Sequence, residues 1–343
     1  MTINSSRNLA VDWLKGWMIL CIVLVHTWAF PDIKFYLAVD VFFFISGYYL
    51  MNSFLRKPTT TVRYTWKRIK TIALPFFICL FFRFCLSPGQ FISLNGLDGF
   101  VDSISESLFT ITFAEELGVE VSSDGICVGS WYFSVLIISS FILYGMLEFN
   151  AKLSTRILFP ILALVGFNIM IVHADSFASW TRVGPLGFPL LRGFSEMTAG
   201  ALICTVYQEN KASFDRHTVF INIMGIISFM LFVMLMFAKE NFDRYLIITI
   251  PWFLLAAASD NSWLASRLRH IKGGVMAWIG QYTLYILCVH WPVLVFVRWC
   301  IEHIWGPSHS EILLAVVSVL AVVPATYILY HLCQWIRKRF CDR

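Results

Sequence analysis

An all-α polytopic membrane protein, a bundle of about ten transmembrane helices with N- and C-termini cytoplasmic, is the fold class this sequence predicts. Three observations carry the prediction. Of 343 residues, 58% are hydrophobic and 14% are charged, against roughly 45–50% and 25% in soluble domains, and the mean hydropathy is +0.72. No soluble core of this length needs that much apolar surface, so lipid must solvate much of it. Apolar runs also recur at about 20 residues, the length a helix needs to cross the hydrocarbon core. Finally, basic residues collect in alternate connections, the pattern that orients membrane bundles with Lys and Arg inside.

The ten candidate spans lie near 11–30, 36–54, 71–87, 129–148, 157–173, 188–207, 218–238, 244–258, 274–298 and 311–333. With the N-terminus inside, the loop after the second span holds Arg56, Lys57, Arg63, Lys67, Arg68 and Lys70. Later inward segments hold Lys152 and Arg156, Lys211 and Arg216, and Arg267, Arg269 and Lys272. A basic tail, 334–343, adds Arg337, Lys338, Arg339 and Arg343. Acids gather instead in the one long loop, 88–128, which holds Asp98, Asp102, Glu106, Glu115, Glu116, Glu120 and Asp124 and is expected to be extracytoplasmic. Its apolar stretch Ser107 to Phe113 suits a segment lying on the membrane or capping the bundle. No repeat, low-complexity tract or linker divides the chain, so residues 1–343 read as a single membrane-embedded domain.

Several function classes fall away at this point. The net charge of +5 is an orientation signal and no sign of nucleic acid. Nine cysteines are scattered through apolar runs with no CxxC pair and no Cys/His cluster at zinc spacing, so no metal site is expected. No cleavable signal peptide is evident, because Asp12 and Lys15 open the first apolar run.

An ionisable side chain inside a span costs a few kcal/mol, about 2.5–3.5 on insertion scales, and is a functional candidate by default. In the first span Asp12 and Lys15 share a face and can pair. Lys15 and His26 lie eleven residues apart, about 16 Å along the axis and about 20° in rotation, so both point to one side of the bundle. A His on an otherwise apolar helix, as His26 is, serves more often in packing or at an interface than in catalysis. In VDVFFFISGYYL, Asp40 opens an apolar run, whereas Ser46 and Gly47 suit close helix packing. The basic turn WKRIKTIALP suits either a lipid-headgroup anchor or a phosphate site. His290, Glu196, Arg83 and Arg192 are further polar groups within spans.

At these residues the sequence resembles the acyltransferase 3 family of integral-membrane O-acyltransferases. RNLAVDWLKGWMILCIVLVH is similar to the family's first helix, with a basic residue and a His at the spacing of Lys15 and His26. VDVFFFISGYYL, KRIKTIALP, GSWYFSVLI and IGQYTLYILCVHWPVL resemble four further motifs in the family's order. The chain has Lys15 where many relatives have Arg, and Thr71 where a second Arg is common. No esterase-like soluble domain is read after the last span, so the resemblance is to the stand-alone form.

The resemblance implies transfer of an acyl group, commonly acetyl, from cytoplasmic acyl-CoA as co-substrate to a hydroxyl of a cell-envelope glycan or lipid-linked sugar at a bacterial inner membrane. It implies His26 as general base, since an imidazole titrates near neutral pH. Lys15 attracts the donor or neutralises Asp12, and Asp40 orients the acceptor or His26. Lys67, Arg68 and Lys70 are expected at the coenzyme A phosphates, as point charges or an Arg fork. Trp131, Tyr132, Glu196 and His290 are expected at the acceptor. Expected partners are acyl-CoA, the saccharide acceptor, membrane lipids and, as an option, a second copy of the chain. The competing reading is a transporter or flippase that uses the same buried polar groups.

Overall fold

The computed structural model describes residues 8–86, 104–105, 107–115, 129–174, 176–179, 182–183, 186–271, 273–306 and 310–340. Most of loop 88–128 therefore lies outside the described residues. The described residues are mostly helical, and the strands among them form a two-residue antiparallel ladder, β1 (Arg182–Val183) with β2 (Leu186–Gly187).

In chain order the helices are α1 (Leu9–Val25), α2 (Ala38–Arg56), α3 (Thr61–Leu86), α4 (Ser130–Leu153), α5 (Phe159–His173), α6 (Phe188–Glu209), α7 (Lys211–Arg216), α8 (Thr218–Phe237), α9 (Leu246–Ala258), α10 (Trp263–His270), α11 (Gly274–Gln281), α12 (Thr283–Trp305) and α13 (Glu311–Phe340). Among the described residues six helical stretches are long and apolar enough to cross a membrane: 35–56, 61–86, 130–173, 218–237, 283–304 and 311–340. The 44-residue stretch 130–173 would be about 66 Å long as one straight helix, twice a bilayer core. It is divided by the non-helical backbone of Asn150 and a π turn at Ser154–Leu158. Of the other long helices, α1 has 17 residues, and α6 has 22 but carries Arg192 and Glu196. The polar groups singled out in the sequence thus shorten or dilute the apolar signal of the helices that bear them. The protein is a multi-pass, all-α membrane protein.

Two close helix crossings organise the interior. A Cβ on Gly47 would lie 1.8 Å from the Met197 carbonyl oxygen, and one on Gly200 would lie 2.0 Å from that of Phe44. The backbones of α2 and α6 therefore touch, as small residues allow in membranes. The same holds for α1 and α11, where Cβ atoms on Gly16 and Gly280 would lie 2.0 Å and 1.7 Å from the Met276 and Asp12 carbonyls. Large apolar side chains face outward elsewhere, including Val219 and Met230 on α8 and Leu320 and Ile328 on α13, as lipid contact requires.

Two boundaries differ from the sequence reading. α3 begins at Thr61, ten residues before the expected span, because the Glu148 carboxylate of α4 accepts from Thr61 N at 2.6 Å and from its hydroxyl at 2.5 Å. A carboxylate satisfies the orphan amide at a helix N-terminus and suits its dipole. Arg63, Lys67, Arg68 and Lys70 are therefore helical. The basic residues of the expected tail likewise extend α13 to Phe340, where cations near a helix C-terminus are favourable.

The span expected at 274–298 is interrupted at Tyr282, where the Thr283 hydroxyl donates to the Gly280 carbonyl at 2.5 Å. Basic side chains gather at one end of the bundle. There, Asn8 Nδ2 donates to the Ala258 carbonyl, Lys211 pairs with Asp260, and Arg156 pairs with Glu209. At the far end the 107–115 segment packs Phe113 against Phe76 and Phe133, and Glu115 accepts from Thr110 and Ser130 hydroxyls at 2.5 Å and 2.7 Å.

Candidate active site

One stripe of α1, Lys15, Ile19, Ile22 and His26, lines a cavity of about 1080 Å³. These residues recur at three- and four-residue steps, so they share a helix face. α2 contributes Phe42, Ile45 and Ser46, α4 contributes Trp131 and Tyr132, α6 contributes Arg192, and α12 contributes Leu287, His290 and Trp291. The lining runs from Lys15 toward the basic end to Trp28, Lys34, Ala178 and Ser179 at the far end.

His26 caps the C-terminus of α1, and its Nδ1 lies 2.7 Å from the Ile22 carbonyl. A carbonyl oxygen only accepts, so this contact places the ring proton on Nδ1 and leaves a lone pair on Nε2. His290 repeats the arrangement, with Nδ1 2.8 Å from the Leu287 carbonyl. The two rings lie 5.0 Å apart, and Trp291 meets His26 edge-on at 5.8 Å. Among the described residues His290 Nε2 and Trp291 Nε1 are buried without a hydrogen-bond partner. One is an acceptor and the other a donor, both beside a ring with a basic nitrogen. Among those residues no carboxylate pairs with either imidazole, so helix carbonyls fix the tautomers, the task that an acid performs in a Ser-His-Asp triad.

The acids singled out in the sequence stand behind the cavity wall. Asp40 is fully buried and accepts two guanidinium bonds from Arg192, at 2.9 Å from Nε and 2.6 Å from Nη2. Glu196 lies 3.6 Å from the same Nε. Arg192 presents the cavity surface and the two carboxylates hold it. Sequence reasoning noted Arg192 only as a buried basic residue. The signal available was its four-residue spacing to Glu196. Trp131 and Tyr132 do reach the cavity, with Tyr132 hydrogen-bonded to Ser46 and its ring 4.8 Å from Phe43.

The basic turn of α3 divides. Arg68 turns inward and donates to Ser140 Oγ at 2.7 Å and Tyr64 Oη at 3.2 Å. Lys67 is exposed, and Lys70 is exposed with its ammonium 5.4 Å over the Trp66 ring. None of the three lines the cavity.

Lys15 pairs with Asp12 at 2.6 Å and lines a second, polar cavity of about 630 Å³ at the basic end. Arg56 and Lys211 share that lining. The Lys211 ammonium is held above its ordinary range by its hydrogen bond to Asp260, so it is charged at neutral pH.

At the far end Asp243 accepts from Tyr36 Oη at 3.0 Å and Phe177 N at 2.9 Å, tying two connections to the cavity mouth. Burial pushes its carboxyl above the usual range despite these bonds. Among the described residues no group of three His, Cys, Asp or Glu side chains is placed to hold a metal ion.

Against known proteins, a family model described as Acyltransferase domain matches residues 8–331. No curated protein and no solved structure matches the chain.

Proposed function

The chain belongs to the Acyltransferase domain family, and from that premise we propose that it transfers an acetyl group from coenzyme A to a hydroxyl of a cell-envelope glycan or lipid-linked sugar, with His26 as general base. The observation that carries this reading is the His26 ring, which lines a large cavity with its Nδ1 held 2.7 Å from the Ile22 carbonyl. In the proposed setting, a bacterial inner membrane, ten spans place both termini and the basic end in the cytoplasm. The donor then arrives from the Lys15 side and the acceptor from the far end.

His26 Nε2 takes the acceptor's hydroxyl proton as the oxygen attacks the thioester carbonyl. The tetrahedral intermediate collapses with cleavage of the C–S bond, and the imidazolium returns its proton to the departing thiolate. General-base assistance of this kind contributes about 10²–10⁴ in rate. Trp291 Nε1, a buried donor without a partner among the described residues, suits the oxyanion. His290 Nε2 suits a second hydroxyl of the acceptor, and Trp131 and Tyr132 offer faces on which a sugar ring stacks. Arg192, clamped by Asp40 and Glu196, presents a fixed donor to the acceptor. Direct transfer needs no covalent acyl-enzyme.

The test is release of free coenzyme A from acetyl-CoA by the purified protein on addition of an envelope glycan, with the product heavier by the mass of one acetyl group. The interruption between α11 and α12 favours one rival, since transporters place broken helices at their substrate sites. Glycan flux into vesicles without acetyl-CoA, and without coenzyme A release, would establish that rival.

A further inference from the structure

The polar cavity at the basic end has no role in the chemistry above, and its lining is unlike that of the catalytic cavity. Three cations, Lys15, Arg56 and Lys211, face it together with the amide side chains of Asn8, Asn52 and Gln208. Tyr48, Tyr49 and Tyr207 supply aromatic edges and hydroxyls. Its volume of about 630 Å³ falls within the range of small-ligand sites, roughly 300–1,000 Å³. Cations beside amides and aromatic rings match a ligand that is part phosphate and part heterocycle. Two acids, Asp12 and Asp260, also line it and partner Lys15 and Lys211. A phosphate must therefore share those cations, whereas no ion pair occupies Arg56 among the described residues.

The link between the two cavities is Lys15, which lines both. Lys15 and His26 are separated by about 16 Å along α1. The pantetheine arm of coenzyme A, about twelve bonds from phosphate oxygen to sulfur, equals roughly four peptide residues and extends to about 14 Å. One more bond brings the thioester carbon to the level of His26. Phosphates held at the level of Lys15 thus put the reacting carbon at the level of the imidazole.

Resting on the proposed donor, we infer that this cavity, and not the basic turn of α3, seats the phosphoadenosine nucleotide of coenzyme A, with Arg56 and Lys211 on its phosphates. Lys67 and Lys70 are exposed and line neither cavity, and Arg68 is committed to Ser140 and Tyr64, so none of the three needs to touch the donor.

The experiment is titration of the full-length protein, in nanodiscs of pure phosphatidylcholine, with coenzyme A and separately with adenosine 3′,5′-bisphosphate. Arg56→Ala/Lys211→Ala should weaken both ligands at least tenfold, and Lys67→Ala/Lys70→Ala should leave both within twofold of wild type. Asp260→Asn removes a like charge from the phosphate site and should tighten binding, a gain that misfolding does not imitate. Repeating the titration in phosphatidylglycerol nanodiscs separates free nucleotide from lipid phosphate. If the cavity holds a headgroup, Arg56→Ala/Lys211→Ala changes only the lipid dependence, and the inference fails. Equal coenzyme A binding by wild type and Arg56→Ala/Lys211→Ala removes this seat and leaves the donor reading intact. No binding of coenzyme A to wild type removes both.

Discussion

Asp40→Leu tests whether the buried cluster is a clamp on Arg192. The carboxylate is fully buried and takes two guanidinium bonds at 2.6 Å and 2.9 Å. Removing one partner of such a pair leaves a charge without its counter-ion and costs about 3–5 kcal/mol. Glu196, 3.6 Å from Arg192 Nε, recovers part of this, which favours the lower figure. At about 2 °C per kcal/mol for a large chain, the apparent unfolding midpoint should fall by roughly 6 °C. The assay is thermal unfolding of purified protein in one detergent, read by loss of the monodisperse chromatographic peak. Asp40→Leu/Arg192→Met/Glu196→Met removes the whole cluster and should regain more than half of the loss, because apolar replacement of a whole buried ionic cluster is often neutral. A single-variant shift below about 2 °C, or a triple variant less stable than the single, refutes the clamp.

Two further outcomes follow from the same geometry. Trp291→Phe keeps the ring contact with His26 but deletes the indole donor, and transfer should slow by about 10²–10³, the usual cost of losing one oxyanion donor; unchanged turnover removes Trp291 from that role. Gly47→Leu forces a side chain into the Met197 carbonyl, from which even a Cβ would lie 1.8 Å, so the variant should fail to yield a monodisperse protein, whereas Gly145→Ala, whose added Cβ would meet nothing nearer than 3.7 Å, should not.

Much of this arrangement is legible in the sequence because it is local. The steps Lys15, Ile19, Ile22 and His26 put one stripe of α1 on the cavity, and helical geometry alone dictates that. What escapes sequence reading is carried by pairs distant along the chain. The start of α3 is set by Glu148, 87 residues from Thr61. That shift of ten residues decides which basic side chains point outward and which inward. Asp40 reads as an acid poised over the active site until Arg192, 152 positions away, claims it. The polar cavity draws its lining from α1, α2, α6, α7 and the end of α9, and no short motif records such an assembly. The interruption at Tyr282 is hidden because α11 and α12 are both apolar, so composition reads straight through it.

The measurement nearest the central claim is turnover of His26→Asn with donor binding followed in the same preparation. Asn keeps an amide N–H for the Ile22 carbonyl but has no basic nitrogen. Acetyl transfer should drop by about 10²–10⁴ while coenzyme A binds with wild-type affinity. Transfer within about tenfold of wild type would mean that another group removes the hydroxyl proton, and the role assigned to His26 would have to be abandoned.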